Sequence, residues 1–105
     1  MKSVAWIGTS LSDIRNFPAD AQTNAGHALR MVQEGVDPTN WKPLSSIGVG
    51  VREIRVREQS GAFRVVYVAK FADKVFVLHC FQKKTEKTAK RDIDIAKARL
   101  KEIRK

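Results

Sequence analysis

The sequence is short of cysteine and of long apolar segments, and each shortage excludes a class of protein. Cys80 is the only cysteine, so an internal disulfide is excluded, which favours a reducing cytoplasm. No apolar run approaches the ~20 residues of a membrane span, and the N-terminus lacks the apolar core of a secretory signal. The length of 105 residues and the absence of linkers predict one domain, residues 1–105. We therefore expect a cytoplasmic protein with no membrane partner.

Acidic residues are also scarce relative to basic ones. The chain has 20 Lys and Arg against 11 Asp and Glu, a formal net charge of +9. The excess is greatest from Lys83 onward, where ten basic and four acidic residues follow. A balance of this kind attracts polyanions. Composition alone leaves open the alternative of a well-solvated basic protein without such a partner.

Ligands for a metal or a cofactor are few. Cys80 is accompanied only by His27 and His79, too few for a closed zinc site, and the acidic residues do not cluster. The adjacent His79 and Cys80 point to opposite faces of a strand, so they cannot form a catalytic dyad. The "GVG" at 48–50 leads into a strand rather than a helix, which excludes a phosphate-binding loop. We expect neither a metal nor a cofactor.

The apolar pattern predicts the element order (β)ααβββα, an α+β domain with an antiparallel sheet packed by helices. A short strand over Ser3–Gly8 precedes two helices, which end near Phe17 and Glu34. A loop over Val36–Gly50 leads to three strands rich in β-branched and aromatic residues, and an amphipathic helix follows them. These strands and the last helix cover Val51–Glu58, Ala62–Phe71, Val75–Lys83 and about Thr88–Arg104.

Short separators between the three strands predict hairpins, whose turns set the register. With two-residue turns centred at 60–61 and 73–74, Arg57 lies opposite Arg64, and Arg64 lies opposite Lys83. A longer turn would remove this row of three cations. One face of the sheet is then apolar, with Ile54, Val56, Phe63, Val65, Tyr67, Phe76, Leu78 and Cys80. The other face holds Glu53, Arg55, Arg57, Arg64, Val66, Val68, His79, Phe81 and Lys83.

Like charges directly opposite one another destabilise a sheet, so the row indicates an anionic ligand, RNA, lying across it. Arg55, Arg57 and Lys87 are the expected RNA-binding residues beside the row. Arginine, lysine and histidine together can cleave RNA without a metal, because they stabilise phosphate charge and transfer protons. Clustered lysines lower one another's pKa, so one of them can act as a base or an acid, and histidine is a common proton-transfer residue. For His79 the alternative is a partly buried strand histidine beneath a helix.

Three motifs, "REIR", "FRVVY" and "LHCFQKKTEKT", with "FP…ALRMVQEG" and "WKPL" upstream, resemble the RelE/ParE toxin superfamily. The pattern is closest to the HigB-like, phage-derived branch of type II toxin–antitoxin toxins, and it covers nearly the whole chain. The resemblance implies a small RelE-like fold and metal-free cleavage of mRNA at the ribosome. It also implies neutralisation by a helix-turn-helix, HigA-like antitoxin.

The resemblance further implies catalytic roles for three residues. Arg64 of "FRVVY" matches the arginine that stabilises the transition state, and Lys83 and Lys84 of "FQKK" fall near the basic catalytic positions. With His79, these residues form the candidate catalytic set. Some relatives supply a tyrosine from the last helix, but residues 92–94 are "DID" here. This difference keeps two alternatives open, a ParE-like gyrase inhibitor and a toxin-like RNA-binding protein without catalysis.

Overall fold

A five-stranded mixed sheet with helices on both faces forms the fold in a computed structural model, which describes residues 1–69 and 73–104. The predicted α+β class is therefore confirmed. The strands are β1 (Ser3–Trp6), β2 (Trp41–Pro43), β3 (Val51–Glu58), β4 (Gly61–Val68) and β5 (Lys74–Lys83). The helices are α1 (Ser10–Arg15), α2 (Ala19–Gln33) and α3 (Lys90–Ile103).

The strand order is β1-β5-β4-β3-β2, and the three strongly predicted strands form its centre. β1 is the short first strand that the sequence predicts, and it pairs in parallel with β5, whereas the other pairs are antiparallel. β2 lies inside the predicted loop over 36–50. Its three residues include Pro43 and are too few to give an alternating pattern. The predicted end of the β4 strand, at Lys70 and Phe71, lies outside the described residues.

Two sets of apolar side chains pack on opposite faces of the sheet. The first face, covered by α1 and α2, has buried strand residues Ile54, Val56, Phe63, Val65, Tyr67, Val75, Val77 and Cys80. The alanines of α2 at positions 21 and 25 are fully buried against it, and Phe17 packs on Phe63 with ring centroids 4.8 Å apart. The second face carries Val51, Val66, Val68, Leu78 and Phe81 under α3.

The register of the first hairpin differs from the prediction by two residues. Gln59 and Ser60 form the turn, Glu58 pairs with Gly61, and Arg55 pairs with Arg64. The predicted pairing of Arg57 with Arg64 is therefore wrong. Gly61 belongs to β4 rather than to the turn, at a positive φ of 136° that suits glycine. A side chain there would also collide with the Gln82 amide.

The register of the second hairpin is likewise shifted. β4 ends at Val68 and β5 begins at Lys74, so the connection is longer than the assumed two-residue turn. Arg64 pairs with Phe81, and Lys83 pairs with Ala62. The predicted direct pairing of Arg64 with Lys83 is wrong, and the two residues are diagonal neighbours. Both shifts equal two residues, the side-chain period of a strand, so the predicted faces of β3 and β4 are kept.

A β-bulge at Leu78 changes the faces of the first half of β5. Val66 pairs with His79, but the next residue, Tyr67, pairs with Val77. The extra residue inverts the alternation of the strand. Phe76 and Leu78 therefore pack in the second-face cluster with α3, and their predicted place on the first face is wrong.

Candidate functional site

Four cations collect on the second face of the sheet, at the strand ends beside the turn at 59–60. They are Arg55 and Arg57 of β3, Arg64 of β4 and Lys83 of β5, and we call them the basic cluster. The pairing of Arg55 with Arg64, and of Arg57 and Lys83 with Ala62, brings them together on one side of the sheet. The predicted row of three is therefore replaced by a cluster of four, which keeps those three residues and adds Arg55.

Arg64 is the buried member of the basic cluster, with 5% of the residue exposed. Its Nη1 donates a hydrogen bond of 3.0 Å to the carbonyl oxygen of Phe63. Its Nε lies 3.7 Å from Oε1 of Glu53 and has no hydrogen-bond partner within residues 1–69 and 73–104. Burial lowers the pKa of the Arg64 guanidinium, and the Glu53 charge opposes that effect. A guanidinium has five N–H donors, so Arg64 retains donors for an anion.

Glu53 holds the cluster in place. It is 4% exposed, and its Oε1 lies 3.3 Å from the Nε of Arg55 as well as 3.7 Å from that of Arg64. One carboxylate thus pairs with two guanidiniums, and the group of Glu53, Arg55 and Arg64 keeps a net positive charge. Sequence reasoning placed Glu53 on this face without giving it a role. The alternation of acidic and basic residues in "REIR" is the signal that could have found it, because residues two apart share a face.

Lys83 and Lys84 line a cleft of about 340 Å³ between the end of β5 and the start of α3. Arg91 of α3 lines the same cleft. Burial, and then the charges of Arg64 and Arg55, lower the pKa of the Lys83 ammonium. A lysine of this kind has a larger neutral fraction than an ordinary one at the same pH. It is therefore better able to accept a proton.

His79 lies beneath α3 and not in the cleft. The residue is 6% exposed, its Nε2 is 2.7 Å from Oδ1 of Asp92, and its ring stacks on Phe81 with centroids 5.0 Å apart. This geometry fits the alternative of a buried strand histidine under a helix. Asp92 is the partner that sequence reasoning missed. His79 lies in β5 and Asp92 lies in α3, 13 residues later. A contact between two different elements produces no local sequence pattern that would predict it.

The remaining predicted residue, Lys87, lies exposed in the segment between β5 and α3, close in sequence to the cleft. Within the part of the chain that the structure describes, no group of three or more His, Cys, Asp or Glu side chains is placed to hold a metal ion. No helix among the described residues is long and apolar enough to cross a bilayer.

The basic cluster is an anion-binding arrangement in chemical terms. A partly paired guanidinium can bind two phosphate oxygens at once, and the neighbouring cations stabilise additional negative charge. The four cations face one buried carboxylate, so an anion arriving from solvent would relieve the repulsion among them. Lys83 adds a group able to exchange a proton at the edge of the cluster.

A family model matches most of the chain. Residues 12–101 match the model of the family described as phage-derived protein Gp49-like, a span that includes every residue of the basic cluster and the cleft. No curated protein matches the chain. The chain belongs to the phage-derived Gp49-like family, a family of RelE-like, toxin-type proteins.

Proposed function

We propose that the protein is the toxin of a type II toxin–antitoxin system, of the HigB-like branch, and that it cleaves mRNA at the ribosome without a metal. The observation that carries this proposal is the buried, partly unpaired guanidinium of Arg64 within the basic cluster. A buried arginine with free donors is costly for a protein that needs only stability. It is well suited to hold a phosphate in a fixed geometry.

In the proposed reaction the ribose 2′-oxygen attacks the adjacent phosphorus, and the bond from phosphorus to the 5′-oxygen breaks. The products are a 2′,3′-cyclic phosphate and a free 5′-hydroxyl. Arg64 binds the non-bridging oxygens, where negative charge increases in the transition state. Arg55 and Arg57 bind neighbouring phosphates of the strand.

Two protons move in this reaction, and the two lysines of the cleft are assigned to them. Neutral Lys83 accepts the proton of the attacking 2′-hydroxyl, a role that its lowered pKa favours. The Lys84 ammonium donates a proton to the leaving 5′-oxygen. His79 takes no part in proton transfer, because α3 covers it and Asp92 occupies its Nε2.

The proposed partner is a helix-turn-helix antitoxin with an acidic segment that covers the basic cluster. Charge complementarity of this kind gives specificity and fast association. Proposed sites of action are the ribosome and its mRNA, in the cytoplasm, and Lys87 is proposed to add a phosphate contact beyond the cluster.

Arg64→Lys should reduce RNA cleavage by about 100- to 1000-fold, the usual effect of losing one transition-state donor. Lysine keeps the positive charge beside Glu53 but cannot bind two phosphate oxygens in parallel. The conservative change is preferred to Arg64→Ala, which would leave Glu53 buried with one cation fewer. The measurement is mapping of transcript cleavage by primer extension after induction, with growth inhibition as a second readout.

The matched control for Arg64→Lys is Arg30→Lys. Arg30 is exposed on α2 and pairs with Glu34 at 3.2 Å, on the other face of the sheet. The Arg30→Lys variant should cleave RNA at the wild-type rate. A folded Arg64→Lys protein, verified by circular dichroism, that cleaves at the wild-type rate would contradict the role of Arg64. Retained RNA binding without cleavage in the wild type would instead favour a toxin-like RNA-binding protein.

Lys83→Arg should preserve RNA binding and reduce the cleavage rate by about 100-fold, because arginine stays protonated and cannot act as a base. In the wild type the rate should rise with pH until the lowered pKa of Lys83 is passed, and then level off. The variant should lose this rise. The measurement is a pH–rate profile on ribosomes carrying mRNA. Lys74→Arg, an exposed lysine at the opposite end of β5, is the control, and an unchanged profile in Lys83→Arg would refute the assignment.

Association with the acidic protein encoded beside this chain should weaken by about tenfold or more between about 0.05 and 0.5 M salt, because salt screens exposed charge pairs. The motivating observation is the excess of cations in the basic cluster. Titration calorimetry at several salt concentrations makes the measurement. Tight association that does not change with salt would contradict the proposed docking on this cluster.

A further inference from the structure

A second cavity lies on the opposite face and at the opposite strand end from the basic cluster. It has a volume of about 380 Å³, within the range of about 300–1,000 Å³ typical of small-molecule sites. The end of α2, the start of β1, the start of β3 and the end of β4 all contribute to it. Tyr67 lines this cavity from the first face, whereas Arg64 of the same strand lies on the second.

The Tyr67 hydroxyl is the central feature of this cavity. The residue is 1% exposed, and its hydroxyl oxygen lies close to the Arg52 guanidinium, which is placed to donate to it. Among the described residues the hydroxyl hydrogen has no acceptor. Burial raises the pKa of Tyr67, against a smaller opposite effect of the nearby Arg52 guanidinium. The hydroxyl therefore stays protonated and able to donate. Buried polar groups in proteins are nearly always paired, so a buried hydroxyl hydrogen without an acceptor indicates a missing acceptor.

Two cations, Arg52 and Lys2, line the same cavity, and each has N–H donors beyond those used in its recorded hydrogen bonds. Arg52 lies directly across the strands from Tyr67 and uses Nη1 for a 2.9 Å bond to Oδ1 of Asp37. The Cζ atom of its guanidinium lies over the Trp41 ring, 4.0 Å from the centroid. Lys2 donates one hydrogen bond, of 2.7 Å, to the carbonyl oxygen of Ala69. A guanidinium carries five N–H donors and an ammonium three, so both retain donors.

The lining thus supplies donors and positive charge together with apolar surface from Val32, Val36 and Ala69. Asp37 is the acidic residue of the lining, and Arg52 already occupies its Oδ1. A ligand that satisfies these groups must accept hydrogen bonds, carry negative charge and have an apolar body.

We propose that this cavity binds a small organic oxyanion, a carboxylate or a phosphate ester, whose oxygens contact Tyr67, Arg52 and Lys2. The site is independent of the proposed nuclease function, because none of its lining residues belongs to the basic cluster or its cleft. Carboxylates and phosphates share the required chemistry, and the probes below distinguish them.

The test is a titration of the ¹⁵N-labelled protein with benzoate, phenyl phosphate and inorganic phosphate at constant ionic strength. At least one organic anion should shift the backbone amides of residues 35–37, Gly50 and Ala69 in a saturable manner. Benzyl alcohol, which has the apolar body without the charge, should not. Shifts confined to β3 and β4 near Arg55 and Arg64, or equal shifts with benzyl alcohol, would overturn the proposal.

Variants complete the test. Tyr67→Phe keeps the ring and removes the hydroxyl whose hydrogen has no acceptor, so the fold should be retained while binding weakens about tenfold. Lys2→Gln, at a partly exposed position, should weaken binding as well. Lys97→Gln, exposed on α3 across the sheet, is the charge-matched control and should bind within about twofold of the wild type. Wild-type affinity in Tyr67→Phe, or equal loss in Lys97→Gln, would refute the site.

Discussion

The buried carboxylate of Glu53, shared by Arg55 and Arg64, is the interaction on which the candidate site depends. Taking an ion out of water costs several kcal/mol even after the protein relaxes, so none of these charges would be stable at this depth alone. The carboxylate contacts both guanidiniums through one oxygen, at 3.3 and 3.7 Å. The single carboxylate therefore balances only one of the two guanidinium charges, and the remaining positive charge is available to a ligand. Loss of Glu53 would leave Arg55 and Arg64 opposite one another without a counter-ion, and a second carboxylate would cancel the remaining positive charge of this pair.

The positions of the apolar and charged residues on the second face explain why part of this positive charge stays accessible. α3 packs on Val51, Val66, Val68, Leu78 and Phe81, the apolar part of the second face. Arg57, at the end of β3, is exposed. The first turn of α3 is joined to the sheet by the bond between Asp92 and His79. This bond places Arg91 beside Lys83 and Lys84 at the cleft. We propose that His79 positions the start of α3, because the residue is buried and its Nε2 is paired with Asp92.

Much of the fold could be predicted from the sequence because its signals are local. Alternating apolar residues predicted β3, β4 and β5, and helical spacing predicted α2 and α3. The faces of Arg55, Arg64 and Lys83 were predicted correctly although the register was wrong, since each hairpin is shifted by a whole side-chain period. The bulge at Leu78 was not predictable, because it depends on how two strands fit together. The short β2, within the predicted loop, had too few residues for a pattern.

The candidate site was predicted less completely than the fold. Basic residues on one face were visible as a pattern, but the burial of Arg64 depends on its neighbours across the sheet. The pairing of Glu53 with two arginines and that of Asp92 with His79 are tertiary contacts between side chains. The roles assigned to Arg64, Lys83 and Lys84 in RNA cleavage remain predictions.

The measurement that tests the central claim most directly is side-chain NMR of the arginines during titration with an uncleavable, fully 2′-O-methylated RNA. If Arg64 holds a phosphate, its Nε–H signal should move on binding. Rotation about its Nε–Cζ bond should also slow, because two phosphate contacts fix the guanidinium. The exposed Arg30 of α2 should not change. An Arg64 signal that stays unchanged at saturating RNA, while only exposed arginines respond, would contradict the account.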